Sequence, residues 1–361
     1  MIFILYLIKM CYNMDIEKVI YMVNFRNDYC FIAHDEVLKQ LMEYNNKTFV
    51  GYGLDEVSEE AKQLIKKEIK NENVDIHFLP GGTITNKVLI SHLLRPYECV
   101  ISCDSGHIAT HETGTIEQSG HKVLTVPNYE GKIKAEDIKK VFYTHPDEHM
   151  VKPKMVYISQ PTEIGTLYKK EELLQISKTC KELGLYLYVD GARLATALTS
   201  HLNDITFSEF ASLTDAFYIG GTKNGLILGE ALVVLNEDFK KDMRYSIKHF
   251  GGMYCKGFVT GIEFKTMFTN NLFFEIGKKQ NEMANKLYNE LLNIGVKFLY
   301  KQETNQIFPI FKNEIIEELR KYFMFELWER KEEETIIRFV THYKVTDNDI
   351  EEAINIIKKL L

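Results

Sequence analysis

Short apolar segments alternate with amphipathic segments along most of the chain. The apolar segments predict buried strands at residues 74–79, 99–103, 122–126, 154–159, 185–189, 217–219 and 231–235. Segments with helical periodicity lie between them, at residues 58–70, 84–94, 107–119 and 169–183, with Ser58 as the predicted cap of the first. Strands that are apolar on both faces and separated by helices indicate an α/β fold with a mostly parallel sheet covered on both sides.

The pattern changes after about residue 257. Long helical segments precede predicted strands at 296–300, 307–311 and 335–340, a helix that begins at Glu314, and a last helix over 350–361 that Thr346 and Asp349 cap. This order indicates a smaller α+β lobe. Since no Pro/Gly/Ser-rich linker marks a boundary, we predict a large domain over 46–256 and a small domain formed by 22–45 with 257–361.

Residues 1–21 are predicted to be an extension outside both domains. Their apolar run before Lys9 is shorter than the roughly 20 residues that span a bilayer, and it lacks the features of a signal peptide, so no membrane anchor is expected. Met14 and Met22 are alternative starts to Met1, and we expect part of the extension to be absent from the native product. Intact mass of protein expressed from its own gene tests this, since a species that begins at Met1 would contradict it.

The composition is that of a compact enzyme subunit. The chain has 361 residues, of which 45% are apolar and 26% charged, and its net charge of −7 argues against nucleic acids as partners. The six cysteines are scattered and follow no signal peptide, so we expect free thiols and a cytoplasmic location. The spacing Cys99-x3-Cys103-x3-His107 lacks a second ligand pair, so no metal site is predicted.

Two turns carry the most informative chemistry. They are Gly220-Gly221-Thr222-Lys223-Asn224-Gly225 and, after an apolar strand, Asp190-Gly191-Ala192-Arg193. A lysine can form a Schiff base with the aldehyde of pyridoxal 5′-phosphate (PLP), and an aspartate at the carboxyl end of a strand can keep the pyridine nitrogen protonated. Arg193 suits a substrate carboxylate, the cofactor's ring oxygen or a surface ion pair. Two ordinary surface turns are the alternative interpretation.

Three further positions can complete such a site. The loop Pro80-Gly81-Gly82-Thr83 enters a helix, where free N–H groups and a hydroxyl suit a phosphate, and where Gly82 permits close approach. His107 follows a strand and can stack on a planar cofactor or exchange protons, although a lone histidine is more often structural. Arg338 is a charge inside an apolar strand, which implies a carboxylate partner, either an internal acid or a substrate.

Seven motifs, taken in their order, make the resemblance to one family specific. They are Asn24-Phe25-Arg26-Asn27-Asp28, Gly51-Tyr52-Gly53-Leu54-Asp55, Pro80-Gly81-Gly82-Thr83-Ile84-Thr85-Asn86, Ser105-Gly106-His107-Ile108-Ala109-Thr110-His111-Glu112-Thr113-Gly114, Asp190-Gly191-Ala192-Arg193, Gly221-Thr222-Lys223-Asn224-Gly225 and Arg338-Phe339-Val340-Thr341-His342. From about Met22 to the C-terminus, the chain resembles the low-specificity threonine aldolases of the β-eliminating lyase family.

The resemblance implies an aspartate aminotransferase-like PLP enzyme of fold type I, with a mostly parallel sheet of seven strands, and a homotetramer that is a dimer of dimers. It implies that Lys223 and the cofactor form the Schiff base, that Asp190 pairs with the pyridine nitrogen, and that His107 stacks on the ring. The cofactor-binding positions implied are Lys223, Asp190, His107, Gly82, Thr83 and Arg193. The substrate-binding positions implied are Arg193, Arg338, Asn27 and Tyr52, the last near a neighbouring subunit's site.

The implied activity is cleavage of threonine, allo-threonine or a related β-hydroxy-α-amino acid to glycine and an aldehyde, with His107 as the base for the β-hydroxyl proton. The turn Thr222-Lys223-Asn224-Gly225 departs from the Ser-Lys-Gly form of many members and resembles a sister branch that includes phenylserine-type aldolases. A phenylserine aldolase or another β-eliminating lyase of the same fold is therefore the alternative. A non-catalytic scaffold is disfavoured because the site residues are complete.

Overall fold

The computed structural model describes residues 22–361, so the predicted extension at 1–21 lies outside the described residues. The chain forms two compact units. The larger is Phe31–Lys278, and the smaller joins the described residues up to Cys30 with Lys279–Leu361. The domain bounds inferred from the sequence stay a prediction. No helix within residues 22–361 is both long and apolar enough to cross a lipid bilayer.

The regular elements are numbered in chain order over the described residues. The helices are α1 (Asp35–Tyr44), α2 (Glu56–Ile69), α3 (Gly82–Leu93), α4 (His107–Thr110), α5 (Thr115–Gln118), α6 (Ala135–Tyr143), α7 (Lys170–Leu183), α8 (Leu194–Thr199), α9 (Phe207–Ser212), α10 (Met243–His249), α11 (Phe258–Phe268), α12 (Leu272–Asn293), α13 (Asn313–Leu319) and α14 (Asp347–Leu360). The strands are β1 (Val23–Asn24), β2 (Asp75–Leu79), β3 (Glu98–Cys103), β4 (Val123–Val126), β5 (Lys152–Ser159), β6 (Tyr186–Asp190), β7 (Ala216–Gly220), β8 (Glu230–Val234), β9 (Lys297–Phe298), β10 (Gln306–Ile307), β11 (Pro309–Lys312), β12 (Phe323–Met324), β13 (Glu326–Arg330) and β14 (Glu334–Val340).

A seven-stranded sheet forms the centre of the larger unit. Its strand order is β2-β8-β7-β6-β5-β3-β4, and the neighbouring pairs are parallel except the two that involve β8. Helices α3 and α10 share one apolar core with the sheet, and each aliphatic side chain buried there contributes about 1.5–3 kcal/mol. The helical residues of this core include Val88, Leu89, Ile90, Met243 and Ile247. The predicted α/β fold with a mostly parallel sheet is confirmed.

The carboxyl ends of the parallel strands place polar residues at one edge of this sheet. β5 ends at Ser159 and β6 ends at Asp190, and these two residues are register partners. β7 ends at Gly220, just before the turn that holds Lys223, and β3 leads into the segment that holds His107. Ligands bind at this edge in parallel α/β sheets, so the fold itself places Asp190, Lys223 and His107 at the ligand-binding edge.

Two predicted helices are wrong in their details. The N-cap of α2 is Asp55, whose carboxylate accepts hydrogen bonds from the backbone N–H and the hydroxyl of Ser58, each at 2.8 Å. Ser58 therefore lies in the first turn as a partner of the cap. The single helix predicted for 107–119 is divided into α4 and α5, because Thr113 and Gly114 have positive φ angles of 51° and 72°, which a right-handed helix excludes.

The smaller unit contains an antiparallel sheet with the strand order β10-β14-β11-β9, and β13 also pairs with β14. The strand predicted at 307–311 is divided into β10 and β11. The predicted cap of the last helix is confirmed, since Asp349 accepts from the Thr346 N–H at 2.7 Å and the Thr346 hydroxyl accepts from the Asp349 N–H at 3.2 Å. The apolar core of this α+β unit includes Phe25, Leu287, Ile337, Phe339 and Ile350.

Candidate active site

Asp190 is the last residue of β6, and its side chain is buried. The Tyr157 hydroxyl donates to Asp190 Oδ2 at 2.6 Å, and the Ala192 backbone N–H donates to Oδ1 at 3.0 Å. Burial raises the pKa of Tyr157 well above its ordinary value, so this hydroxyl keeps its proton and donates it. The two bonds fix the orientation of a carboxyl acceptor at the ligand-binding edge of the sheet.

Lys223 lies on a single 3₁₀ turn, Thr222–Asn224, which follows β7 and ends at Gly225, where φ is 89°. The Gly221 N–H donates to Glu230 Oε2 at 2.8 Å, and Glu230 is the buried first residue of β8. Burial raises the pKa of the Glu230 carboxyl to about 7, although its hydrogen bonds and the charge of Lys223 oppose the rise. The backbone that precedes Lys223 is therefore held by a hydrogen bond to β8.

Two glycine backbones bring the Asp190 turn against the Lys223 turn. The Gly220 N–H donates to the Gly191 carbonyl oxygen at 2.9 Å. A Cβ at Gly191 would lie 1.9 Å from the Tyr218 carbonyl oxygen, and a Cβ at Gly220 would lie 2.0 Å from the Ala192 carbonyl oxygen. Only glycine fits at either position, so this contact fixes the spacing of the two turns.

We expect Gly191→Ala to lower the free energy of unfolding by about 3 kcal/mol or more, because the added methyl group meets backbone atoms rather than a flexible side chain. Urea denaturation measures the loss. Gly81→Ala is the matched control, since a Cβ there meets no atom within 4 Å and the φ of Gly81 is 177°. Equal stability of the two variants would show that the turns do not depend on this close approach.

His107 begins α4, and 33% of its side-chain surface is exposed. Its backbone N–H donates to Glu163 Oε1 at 2.9 Å, and its ring Nδ1 lies 2.8 Å from Glu112 Oε1. Burial and the charge of Lys223 lower the pKa of His107. The hydrogen bond to Glu112 and the charge of Asp190 raise it by more, so the pKa of His107 lies above its ordinary value. The imidazole therefore lies within electrostatic reach of both Asp190 and Lys223.

Asn86, a buried residue of α3, lies between the carboxyl groups of Glu112 and Asp190. Its Nδ2 donates to Glu112 Oε1 at 2.7 Å and to Asp190 Oδ2 at the longer distance of 3.4 Å. The Tyr188 hydroxyl donates to Asn86 Oδ1 at 2.7 Å, which fixes the orientation of the amide. One hydrogen-bonded network thus runs from His107 through Glu112 and Asn86 to Asp190.

The glycine-rich loop ends where α3 begins, at Gly82. Thr85 makes the first intrahelical bond, to the Gly81 carbonyl oxygen at 3.1 Å, so the preceding N–H groups face out of the helix end. Thr83 is exposed at this end. A Cβ at Gly82 would lie 2.9 Å from the Tyr218 hydroxyl oxygen, which is a packing reason for glycine in addition to the predicted ligand approach.

Arg193 and Tyr52 lie on two different turns of the larger unit. Arg193 is the N-cap of α8 and shares its turn with Asp190. Tyr52 is exposed and has a φ of 64°, and its carbonyl oxygen accepts a hydrogen bond from Arg244 at 3.2 Å. Arg193 is therefore placed with the network at the sheet edge, whereas the contacts of Tyr52 are with residues near α10.

Asn27 and Arg338 belong to the smaller unit. Asn27 Oδ1 accepts a hydrogen bond from the Tyr29 N–H at 3.1 Å. Arg338 lies on β14, where its register partner on β13 is Glu326, and its guanidinium lies 5.9 Å from the centre of the Trp328 ring. The substrate-binding roles implied for Asn27 and Arg338 stay predictions.

Glu112, Asn86 and Tyr157 belong to the network around Asp190 and were not predicted as site residues from the sequence. Tyr157 precedes Ser159 by two positions, and alternate residues of a strand share a face, so its side chain could have been placed on the face of the sheet that carries Asp190. Asn86 follows Gly82 by four positions, which puts both on one face of α3. Glu112 gives no such signal, because the helix predicted for 107–119 would place it on a different face from His107.

A family model for the beta-eliminating lyases matches residues 35–314 of the chain. The chain belongs to the beta-eliminating lyase family. A relative from Pseudomonas sp., named low specificity L-threonine aldolase, is 30% identical to this lyase over 272 residues, which cover 74% of this chain and 78% of the relative. The solved structure of a threonine aldolase from Leishmania major is 42% identical, with a TM-score of 0.92 over 94% of this chain and 99% of that chain.

More distant solved structures share the fold of this lyase. An aspartate aminotransferase from Thermus thermophilus is 14% identical, with a TM-score of 0.68 over 94% of this chain and 92% of that chain. These comparisons confirm three inferences from the sequence. They are the resemblance to threonine aldolases, the aspartate aminotransferase-like fold of type I and the class of PLP-dependent lyases.

The groups at the sheet edge of this lyase suit PLP. A carboxylate offers about four lone-pair positions, and those of Asp190 accept from Tyr157, Ala192 and, at longer range, Asn86, which leaves room for a pyridinium N–H. The N–H groups at the start of α3 suit the phosphate. Lys223 carries an amine that would suit the cofactor aldehyde, on a turn that the glycine contact holds beside Asp190.

Proposed function

We propose that this lyase cleaves threonine or allo-threonine between Cα and Cβ, which releases glycine and acetaldehyde. The observation that carries the proposal is the imidazole of His107, which is held 2.8 Å from Glu112 and within electrostatic reach of Asp190 and Lys223. A base beside the cofactor lysine can take the β-hydroxyl proton that cleavage of this bond requires. The names of the Pseudomonas and Leishmania proteins, both threonine aldolases, support the same activity.

Each remaining group has a binding role in this proposal. PLP, when bound, supplies an aldehyde that bonds covalently to amines and a ring that withdraws electrons from Cα. Lys223 provides the amine that holds the cofactor, and Asp190 holds a proton at the pyridine nitrogen. Gly82 and Thr83 bind the phosphate through the N–H groups of the helix end. Arg193 binds the substrate carboxylate with its planar guanidinium.

His107 moves the proton in this reaction. Its Nε2 accepts the β-hydroxyl proton, directly or through one water, while the Cα–Cβ bond breaks and the β-carbon leaves as acetaldehyde. The electron pair of the broken bond stays with Cα, which then takes up a proton to give glycine. Placing the base in this way also requires that the substrate carboxylate be held still, which is the role of Arg193.

A product assay tests the proposal. We expect L-threonine and L-allo-threonine to yield glycine and acetaldehyde in equal amounts, measured by amino acid analysis and by an alcohol dehydrogenase coupled assay. Ammonia and 2-oxobutanoate in their place would indicate β-elimination and would refute Cα–Cβ cleavage. Phenylserine belongs in the same panel because of the Thr222-Lys223-Asn224-Gly225 turn, and a strong preference for it would assign this chain to the phenylserine branch.

We also infer a homotetramer built as a dimer of dimers. Large apolar side chains are exposed near the start of the larger unit, and exposed apolar patches mark protein interfaces. They include Ile32, Met42, Val50 and Leu54, which are 73%, 72%, 64% and 62% exposed. Light scattering of the purified protein tests the tetramer, and a monomer would contradict it. A role in glycine formation and a cytoplasmic location stay predictions.

A further inference from the structure

Glu112 is the buried carboxylate nearest the ring of His107. No surface of its side chain is exposed, and its Oε1 lies 2.8 Å from His107 Nδ1. In a continuous helix, two residues five positions apart are separated by about 1.4 turns, so their side chains would lie on different faces. The chain leaves α4 after Thr110, and the positive φ angles of Thr113 and Gly114 follow directly. This break in the helix allows Glu112 to reach back to His107.

Asn86 holds Glu112 in place. Both hydrogen bonds of the Glu112 side chain end on Oε1, one from Asn86 Nδ2 at 2.7 Å and one shared with His107. The orientation of the Asn86 amide is set by Tyr188, whose pKa is raised well above its ordinary value by burial, so that its hydroxyl donates to Oδ1. With Oδ1 occupied as an acceptor, both amide hydrogens are directed to carboxyl groups, those of Glu112 and Asp190.

We propose that Glu112 is a positioning residue, which keeps the proton of the neutral His107 ring on Nδ1 and so leaves Nε2 to accept a proton from the substrate. A carboxylate only accepts, so the ring nitrogen that faces it must donate. The hydrogen bond also fixes the plane of the imidazole. The use of Nε2 as the base rests on the proposed function, whereas the position of the proton on the ring does not.

Several charged or titratable groups face His107, and they bear on its titration. Glu112 follows α4, Asp190 ends β6, Lys223 lies on the turn after β7, and the carboxylate of Glu163 accepts the backbone N–H of His107. Of these, the hydrogen bond to Glu112 makes the largest contribution that raises the pKa of His107. Removal of that charge therefore lowers the pKa of His107, and the base stays deprotonated to lower pH. The ring of His111 also lies near, with its centre 5.6 Å from that of His107.

Two substitutions at position 112 separate charge from orientation. Glu112→Gln can keep both hydrogen bonds on its single oxygen, because Oε2 accepts no hydrogen bond from residues 22–361. We expect its kcat at alkaline pH to stay within about threefold of wild type, and the acid limb of its kcat profile to move to lower pH. Glu112→Ala removes the acceptor as well as the charge, and we expect kcat at alkaline pH to fall about 10- to 100-fold, part of the roughly 10²–10⁴-fold that a positioned base contributes.

Histidine-selective ¹⁵N NMR of the PLP-loaded protein gives a readout that does not depend on turnover. We expect His107, assigned from its loss in His107→Gln, to be protonated at Nδ1 when neutral in wild type and in Glu112→Gln. In Glu112→Gln it should titrate at lower pH than in wild type. Glu117→Gln is the matched control, since Glu117 is an exposed acid on α5, and it should change neither the spectrum nor the profile.

The experiments test the role of Glu112 and the proposed function separately. Unchanged titration of His107 in Glu112→Gln, or a neutral wild-type ring protonated at Nε2, would overturn the role of Glu112. If Glu112→Ala fails to fold, the NMR spectrum of Glu112→Gln still shows whether Glu112 controls the titration of His107. If wild type releases no acetaldehyde from threonine, the proposed function fails, while the NMR titration continues to test Glu112 on its own.

Discussion

Lys223→Ala is expected to lose the visible absorbance band of the PLP-loaded protein together with nearly all activity. The band comes from the covalent link between the cofactor aldehyde and an amine, and alanine provides no amine. Removal of the residue that bonds covalently in catalysis typically lowers kcat by about 10⁴–10⁶-fold. The turn itself should persist, because Gly221 bonds to Glu230 through its backbone and Gly225 still closes the 3₁₀ turn.

The measurement is an absorbance spectrum after PLP loading and gel filtration, followed by an acetaldehyde assay. Lys181→Ala is the matched control, since Lys181 is an exposed lysine on α7, and it should keep both the band and the activity. A Lys223→Ala protein that retains the band would place the covalent link on a different lysine. Circular dichroism of the variant checks that the loss is not one of folding.

Asp190→Asn is expected to lower kcat by about 10²–10⁴-fold, or about 3–5 kcal/mol of transition-state stabilisation. An asparagine has nearly the same shape, but it carries no charge to hold a proton at the pyridine nitrogen. It also offers one oxygen where the carboxylate has two, so it cannot accept from both the Tyr157 hydroxyl and the Ala192 N–H in their present geometry. Steady-state kinetics with L-threonine measures the loss of kcat.

Asp238→Asn is the control for Asp190→Asn, because Asp238 is an exposed acid on a surface turn after β8. Its kinetics should match those of wild type. A second readout follows from the charge of Asp190, which raises the pKa of His107, so His107 should titrate at lower pH in Asp190→Asn. Activity of Asp190→Asn within threefold of wild type would remove Asp190 from the proposed mechanism.

The sheet and the two turns of the site could be predicted from the sequence because each leaves a local signal. β7 is buried throughout and β6 is buried at every residue except Tyr186, so their apolar runs stand out. Asp190 and Lys223 then appear at or just beyond the ends of such runs, where a parallel sheet gathers its polar groups. Their proximity follows from the order of the strands, and β6 and β7 are neighbours in the sheet.

The network behind His107 could not be predicted, because its members meet only in three dimensions. Asn86 and Asp190 are 104 positions apart, and Asn86 and Glu112 are 26 apart. The segment around Glu112 has the composition of a helix, and the positive φ angle of Thr113 is one that its residue type rarely adopts. Local propensity favoured a continuous helix there, and tertiary contacts decided otherwise.

The segment that carries Lys223 connects β7 to β8, which pair antiparallel. Gly220 at the end of β7 is the register partner of Glu230 at the start of β8, so the two ends of this segment lie side by side. The sheet thus sets the position of the lysine backbone, as it sets the position of Asp190 one strand away. PLP would then bind to a preformed site. The rate of non-covalent PLP binding should rise in proportion to the concentration of PLP, whereas a site that had to fold first would give a rate that levels off.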